Sequence, residues 1–107
     1  VGGKPSRDKG ARFERQVVHT LSDAGIQAER VPLSGAAHGS FGGDVRCDLP
    51  GHEAALLECK KRARGFKQIY GWLDENTGLV IGADRLPPLI VLPLDTFLSM
   101  LSDEDNR

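Results

Sequence analysis

Residues 44–60 leave the chain few ways to fold. Asp44-Val45-Arg46-Cys47-Asp48-Leu49 alternates polar and apolar side chains, Pro50-Gly51-His52 is turn chemistry, and Glu53 to Lys60 reads as a second extended run. Together they spell a hairpin. Residues two apart in a strand share a face, so Glu58 and Lys60 point one way and Cys59 the other, and a suitable register brings Asp44 beside them. Two carboxylates and an ammonium on one spot are costly unless something there needs them; a divalent metal with a phosphate is the tenant this chemistry suggests.

The rest of the 107-residue chain builds a scaffold around that hairpin. Residues 1–7 read as a flexible lead-in, and a helix is predicted from about Asp8 to Ala24, stopped by Gly25. Phe13, Val17, Leu21 and Ala24 recur at helical spacing, with Val18 widening the apolar stripe. Glu14 falls inside that apolar arc. It either bends out to Arg7, Arg15 or Lys9, or faces inward to a partner or a metal. Ile26 to Val31 reads as a first strand closed by Pro32, and Ser34 to Gly43 is a loop of small residues whose N–H groups, with Ser34 or Ser40, suit contact with a phosphate; His38 reads as a solvent-exposed loop residue, with phosphate contact as the alternative. The loop lacks the Gly-Lys-Ser/Thr ending of a nucleotide-binding P-loop.

After the hairpin, a basic run from Lys60 to Lys67 leads into a second helix, roughly Gly65 to Glu75, expected to bury Phe66, Ile69, Tyr70 and Leu73. Trp72 and Tyr70 suit core packing, a subunit contact, or stacking on a base. Leu79 to Ile81 and Leu89 to Leu92 read as two apolar strands covered on both faces or at a dimer contact, and Leu94 to Leu101 as a final helix before a frayed acidic tail at 102–107. The order helix, three strands, helix, two strands, helix implies an α/β fold: one domain over residues 8–101, with a central mixed five-stranded sheet flanked by helices.

The formal net charge of −1 is no mark of a strongly basic nucleic-acid binder, but the charge is unevenly spread. Residues 1–67 hold 12 Lys/Arg against 8 Asp/Glu, and residues 68–107 hold 2 against 7. A polyanion would meet the first part and be repelled by the second. Cys47 and Cys59 form no Cys-x-x-Cys pair and read as packed thiols, with a zinc site including His52 or a disulfide as alternatives. Nothing resembles a secretory signal or a membrane-spanning stretch, so a cytoplasmic location is the expectation.

Hydrolysing a phosphodiester requires a nucleophilic water, stabilisation of added negative charge and help for the leaving oxygen. Asp44 and Glu58 supply hard oxygens suited to Mg²⁺ or Mn²⁺, and the main-chain carbonyl of Cys59 could be a further ligand. Lys60 could orient or deprotonate the water or offset charge on the phosphate. Glu14 completes the cluster if the first helix crosses the same sheet edge. The competing reading is a structural salt-bridge network in which Lys60 neutralises Glu58 and Asp44.

Lys9-Gly10 with Phe13-Glu14-Arg15, Gly42-Gly43-Asp44-Val45 and Leu57-Glu58-Cys59-Lys60, in this order of elements, resemble the PD-(D/E)xK nuclease superfamily over roughly residues 8–101. Within it the likeness is to the archaeal-type Holliday junction resolvases and their phage-borne relatives. The resemblance implies a restriction-endonuclease-like core and a Mg²⁺-dependent endonuclease that nicks four-way DNA junctions as a homodimer in recombination and repair. It implies catalytic roles for Glu14, Asp44, Glu58 and Lys60, with Ser34, or less closely Ser40, at the scissile phosphate. Lys9, Arg12, Arg30, Lys61, Arg62, Arg64 and Lys67 are the candidate DNA contacts. The same core also serves nucleases of linear, flap or damaged DNA, and an inactive DNA-binding protein could retain it. Leu79 to Ile81, Leu89 to Leu92 and Phe97 to Leu101 are the candidate subunit contacts.

Overall fold

A computed structural model describes residues 3–32 and 44–105. The elements are α1 (Gly3–Asp23), β1 (Ala28–Arg30), β2 (Val45–Leu49), β3 (His52–Leu57), α2 (Lys67–Leu73), β4 (Leu79–Ile81), β5 (Leu89–Val91) and α3 (Leu94–Asp105). The chain divides into two compact units, Val1–Lys61 and Arg62–Arg107.

In the first unit, α1 begins at Gly3 rather than Asp8, so part of the expected lead-in is helical. Pro5 is no obstacle, because the N–H it lacks is one that the first turn leaves unbonded in any helix. The helix ends as expected at Gly25, whose φ of +85° only glycine adopts without strain. Ile26 N–H donates to Leu21 C=O at 3.0 Å and Gly25 N–H to Ser22 C=O at 2.9 Å, the paired bonds of a Schellman cap.

Three strands form an antiparallel sheet in the order β1-β2-β3. The first is shorter than Ile26 to Val31, although the ladder extends past it through Asp48 N–H to Gln27 C=O at 3.0 Å and Val31 N–H to Asp44 C=O at 2.9 Å. Pro50 followed by Gly51 at φ +79° closes the β2–β3 hairpin with type II turn chemistry. Between Cys47 and Leu49 the register slips by one residue, and the bulge places Ala54 at φ +55° with its N–H on Asp48 Oδ1 at 2.9 Å.

The face towards α1 carries the core. Val45 and Cys47, two apart on β2, are buried, as are Val17 and Leu21, four apart on α1. Alternate residues Arg46 and Asp48 face solvent, where Arg46 meets its register partner Glu29 at 2.7 Å.

The second unit holds β4 and β5, a separate antiparallel pair in the register Leu79↔Val91, Val80↔Ile90 and Ile81↔Leu89. Among the described residues the strands thus form a three-stranded and a two-stranded antiparallel sheet, in place of the single mixed sheet expected. Each ladder joins neighbours in sequence. The expectation of strands covered on both faces also fails within the chain, since Val80, Leu89 and Ile90 are exposed.

α2 is limited to Lys67–Leu73 and buries Leu73, with Phe66 and Ile69 half-buried. Tyr70, expected inside, is exposed together with Trp72. α3 continues through Asp105, four residues beyond the predicted end. No helix among the described residues is long and apolar enough to cross a membrane.

Candidate active site

The end of β3 and the start of β2 meet at one corner of the first unit. Asp44 immediately precedes β2, and three hydrogen bonds fix it. Its N–H donates to Leu57 C=O at 2.7 Å and its C=O accepts from Val31 N–H at 2.9 Å. Its Oδ2 accepts from Cys59 N–H at 2.8 Å. A carboxylate accepting a backbone N–H is a strong, directional contact, and it aims Asp44 at the segment 58–60 while leaving Oδ1 uncommitted among the described residues.

That segment lies just past the last ladder residue, Leu57, and not inside the strand as the alternation suggested. The chain nevertheless sets Glu58 and Lys60 together: Lys60 Nζ is 3.3 Å from Glu58 Oε2, with both side chains about half exposed.

Glu14 reaches the corner from α1. Among the described residues its partner is neither Arg15 nor Lys9: Oε1 accepts from Arg30 Nε at 3.0 Å, and the side chain of Arg7 lies outside the described residues. The reason lies in the sheet register. Arg30 is directly opposite Val45, and opposite residues of an antiparallel pair share a face, so Arg30 projects to the side on which α1 packs. Glu14, within the helix's apolar arc, meets it there with its side chain only 16% exposed.

Cys59 marks where these acids converge. Its thiol was expected to pack away from them. Burial first, and then the negative charges of Asp44, Glu14 and Glu58, together push the thiol up to about 11. Three carboxylates from three segments therefore act on one sulfur. Cys47, on the core side of β2, is raised by burial and by Asp48. Both cysteines are free thiols, and His52 is exposed, so the disulfide and zinc alternatives find no support among the described residues.

No three His, Cys, Asp or Glu side chains among the described residues are grouped tightly enough to hold a metal by themselves. The donor chemistry still fits Mg²⁺, which keeps several waters and is usually bound by one or two carboxylates with substrate phosphates rather than by a complete protein cage. Asp44 Oδ1 and the Glu58 carboxylate are the oxygens best placed by chemistry for that role, with Glu14 and the Cys59 carbonyl as further donors.

Of the candidate DNA contacts, Lys9, Arg12 and Lys61 are exposed in the first unit, and Arg62, Arg64 and Lys67 are exposed in the second. Arg30 is half-buried and engaged with Glu14. Ser34, Ser40 and His38 lie outside the described residues. Sequence reasoning missed the Arg30 partnership and the Cys59 N–H bond to Asp44; both depend on strand register, which no local pattern encodes.

A sequence model of the family described as "phage putative PDDEXK endonuclease" matches residues 5–104, nearly the whole chain, and the chain belongs to that family. It is thereby a member of the PD-(D/E)xK nuclease superfamily with phage relatives. No curated protein and no solved structure matches it.

Proposed function

We propose that this member of the PD-(D/E)xK endonucleases hydrolyses phosphodiester bonds of branched DNA with Mg²⁺, nicking four-way junctions as a homodimer. The observation that carries the reading is the Asp44 carboxylate bonded to the Cys59 N–H at 2.8 Å, next in the chain to the Glu58–Lys60 ion pair. Such a concentration of negative charge beside a lysine suits a site that receives a cation and a phosphate.

Asp44, oriented by the Cys59 N–H, presents an oxygen to the ion, and Glu58 a second carboxylate. Mg²⁺ held by these residues would supply Lewis acidity. Lys60 offers its ammonium to the phosphoryl oxygens as their charge grows. Glu14, held by Arg30, adds negative charge that favours retention of the ion. Ser34 is assigned to the scissile phosphate on the family likeness alone. Lys9, Arg12, Lys61, Arg62, Arg64 and Lys67 supply cations for flanking phosphates, and Arg30 joins them only by giving up Glu14.

Cutting two opposed strands needs two sites in fixed relation, which a two-fold dimer provides. The exposed apolar residues Val80, Leu89 and Ile90 support a subunit contact through the β4–β5 hairpin.

The test is cleavage of a synthetic four-way junction and a matched linear duplex in Mg²⁺, with Asp44→Asn and Lys60→Ala as variants. Junction-selective nicking is expected, and either substitution should lower it by roughly 10²-fold or more while binding is retained. Equal cutting of both substrates would reject the junction preference. Mg²⁺-dependent cutting of no DNA at all would reject the nuclease.

A further inference from the structure

The outer face of α1 carries a feature that hydrolysis at the cluster does not use. Lys9, Arg12, Gln16 and His19 follow one another at spacings of three, four and three residues and so form one stripe along the helix, with Arg15 beside it. With Phe13 and Lys61 they line a groove of about 500 Å³. No carboxylate among the described residues lines it. Lys9, Arg12 and Arg15 have no ion-pair partner among the described residues, and the one acid bonded to a lining residue, Asp23, pairs with His19 at the far end, 3.3 Å away.

Two features tie this groove to the cluster. Lys61 Nζ lies 5.5 Å from the centre of the Phe13 ring, a cation–π contact between two residues that line the groove. Phe13 and Lys61 are also the immediate chain neighbours of Glu14 and Lys60. The groove thus passes the segment that carries the catalytic residues, with Lys9 and Arg12 on one side of Phe13 along the helix and Arg15, Gln16 and His19 on the other.

We propose that this groove is the track for the phosphate backbone of duplex DNA as it passes the cluster, with Arg15, Gln16 and His19 as contacts beyond those assigned above. The inference rests on the nuclease reading and specifies how its substrate lies. Lys9 to His19 spans about 15 Å of helix at 1.5 Å per residue. Measured along the duplex axis, that length covers roughly four base-pair steps at 3.4 Å each. Between Lys9 and His19 the residues lining the groove are cations, an amide, an aromatic ring and an imidazole.

The test measures binding of a fluorescein-labelled DNA duplex in EDTA, where no cutting occurs, over a series of salt concentrations. Neutralising one phosphate contact by Arg15→Gln should reduce the slope of log K against log salt by about 0.9, and Lys9→Gln, Arg12→Gln and Arg15→Gln combined by about 2.7. Arg46→Gln, which removes an exposed cation already paired with Glu29, is the charge-matched control and should leave the slope unchanged. Circular dichroism of each variant confirms folding. Equal loss of slope in Arg46→Gln and Arg15→Gln, or no loss in either, would overturn the track. So would an RNA duplex that binds as tightly as DNA and loses affinity equally in the variants. Asp44→Asn separates the two readings: unchanged cutting by that variant sinks the nuclease site, whereas lost cutting with an Arg15-independent salt slope sinks the groove alone.

Discussion

Replacing Arg30 by Gln removes the partner of a carboxylate that has little access to water. Glu14 and Arg30 side chains are 16% and 34% exposed, and their closest atoms are 3.0 Å apart. At that separation and an effective dielectric near 20 the gross attraction is about 5–6 kcal/mol. Desolvation of both groups offsets most of it. Fully exposed pairs contribute about 0–1 kcal/mol, and breaking a fully buried pair costs about 3–5 kcal/mol. A pair of intermediate exposure belongs between these limits, so Arg30→Gln should cost about 2 kcal/mol, equivalent to a fall of roughly 10 °C in Tm for a chain of this size. The decisive measurement is a double-mutant cycle by urea denaturation. In a Glu14→Gln background the stranded charge no longer exists, and Arg30→Gln should cost under about 0.5 kcal/mol, which gives a coupling of about 1.5 kcal/mol. If Arg30→Gln costs the same in both backgrounds, the pair contributes nothing and the account of why Glu14 faces inward fails.

Asp44 has a structural task as well as its proposed chemical one, and two substitutions separate them. Asp44→Asn keeps an acceptor for the Cys59 N–H and should change stability little, whereas Asp44→Ala leaves that donor unpaired and should cost about 1–3 kcal/mol in urea denaturation. Ala54 holds a left-handed φ of +55° at the bulge, and Ala54→Gly should raise stability by about 0.5–1 kcal/mol, the relieved strain exceeding the added chain entropy. A loss of stability there would contradict the assigned strain. The Cys59 thiol should alkylate with an apparent pKa of about 11, followed by mass spectrometry, and Asp44→Asn should lower that value by removing a neighbouring charge. Between pH 9.0 and about 11 an unfolded Cys59 ionises while the folded one keeps its proton. The folded state then binds more protons, so this group makes stability fall as pH rises through that window.

Local patterns in the chain carried most of the elements. Gly25 ended α1 because only glycine takes the left-handed cap conformation cheaply, and Pro50-Gly51 closed the hairpin because those two residues match the turn's dihedrals. The acids and lysine of the site were visible as well, since an inward glutamate on an amphipathic helix and an acid two residues before a lysine at a strand end are anomalies of spacing. Solvent exposure of Tyr70 and the outward apolar pair Val80 and Ile90 were not visible, because a periodic apolar residue looks the same whether or not anything covers it.

What tertiary structure alone decided is who meets whom. Arg30 became the partner of Glu14 because the register sets it opposite Val45, on the face that α1 covers, and a shift of one residue would have turned it to solvent. Cys59 donates to Asp44 because two strand ends fifteen residues apart come side by side, and the grouping of the strands into two antiparallel sheets was settled by long-range hydrogen bonding. Dihedral preference and hydrophobic spacing act within a few residues and are written locally. Register and pairing are choices among many distant alternatives, and only the folded chain makes them.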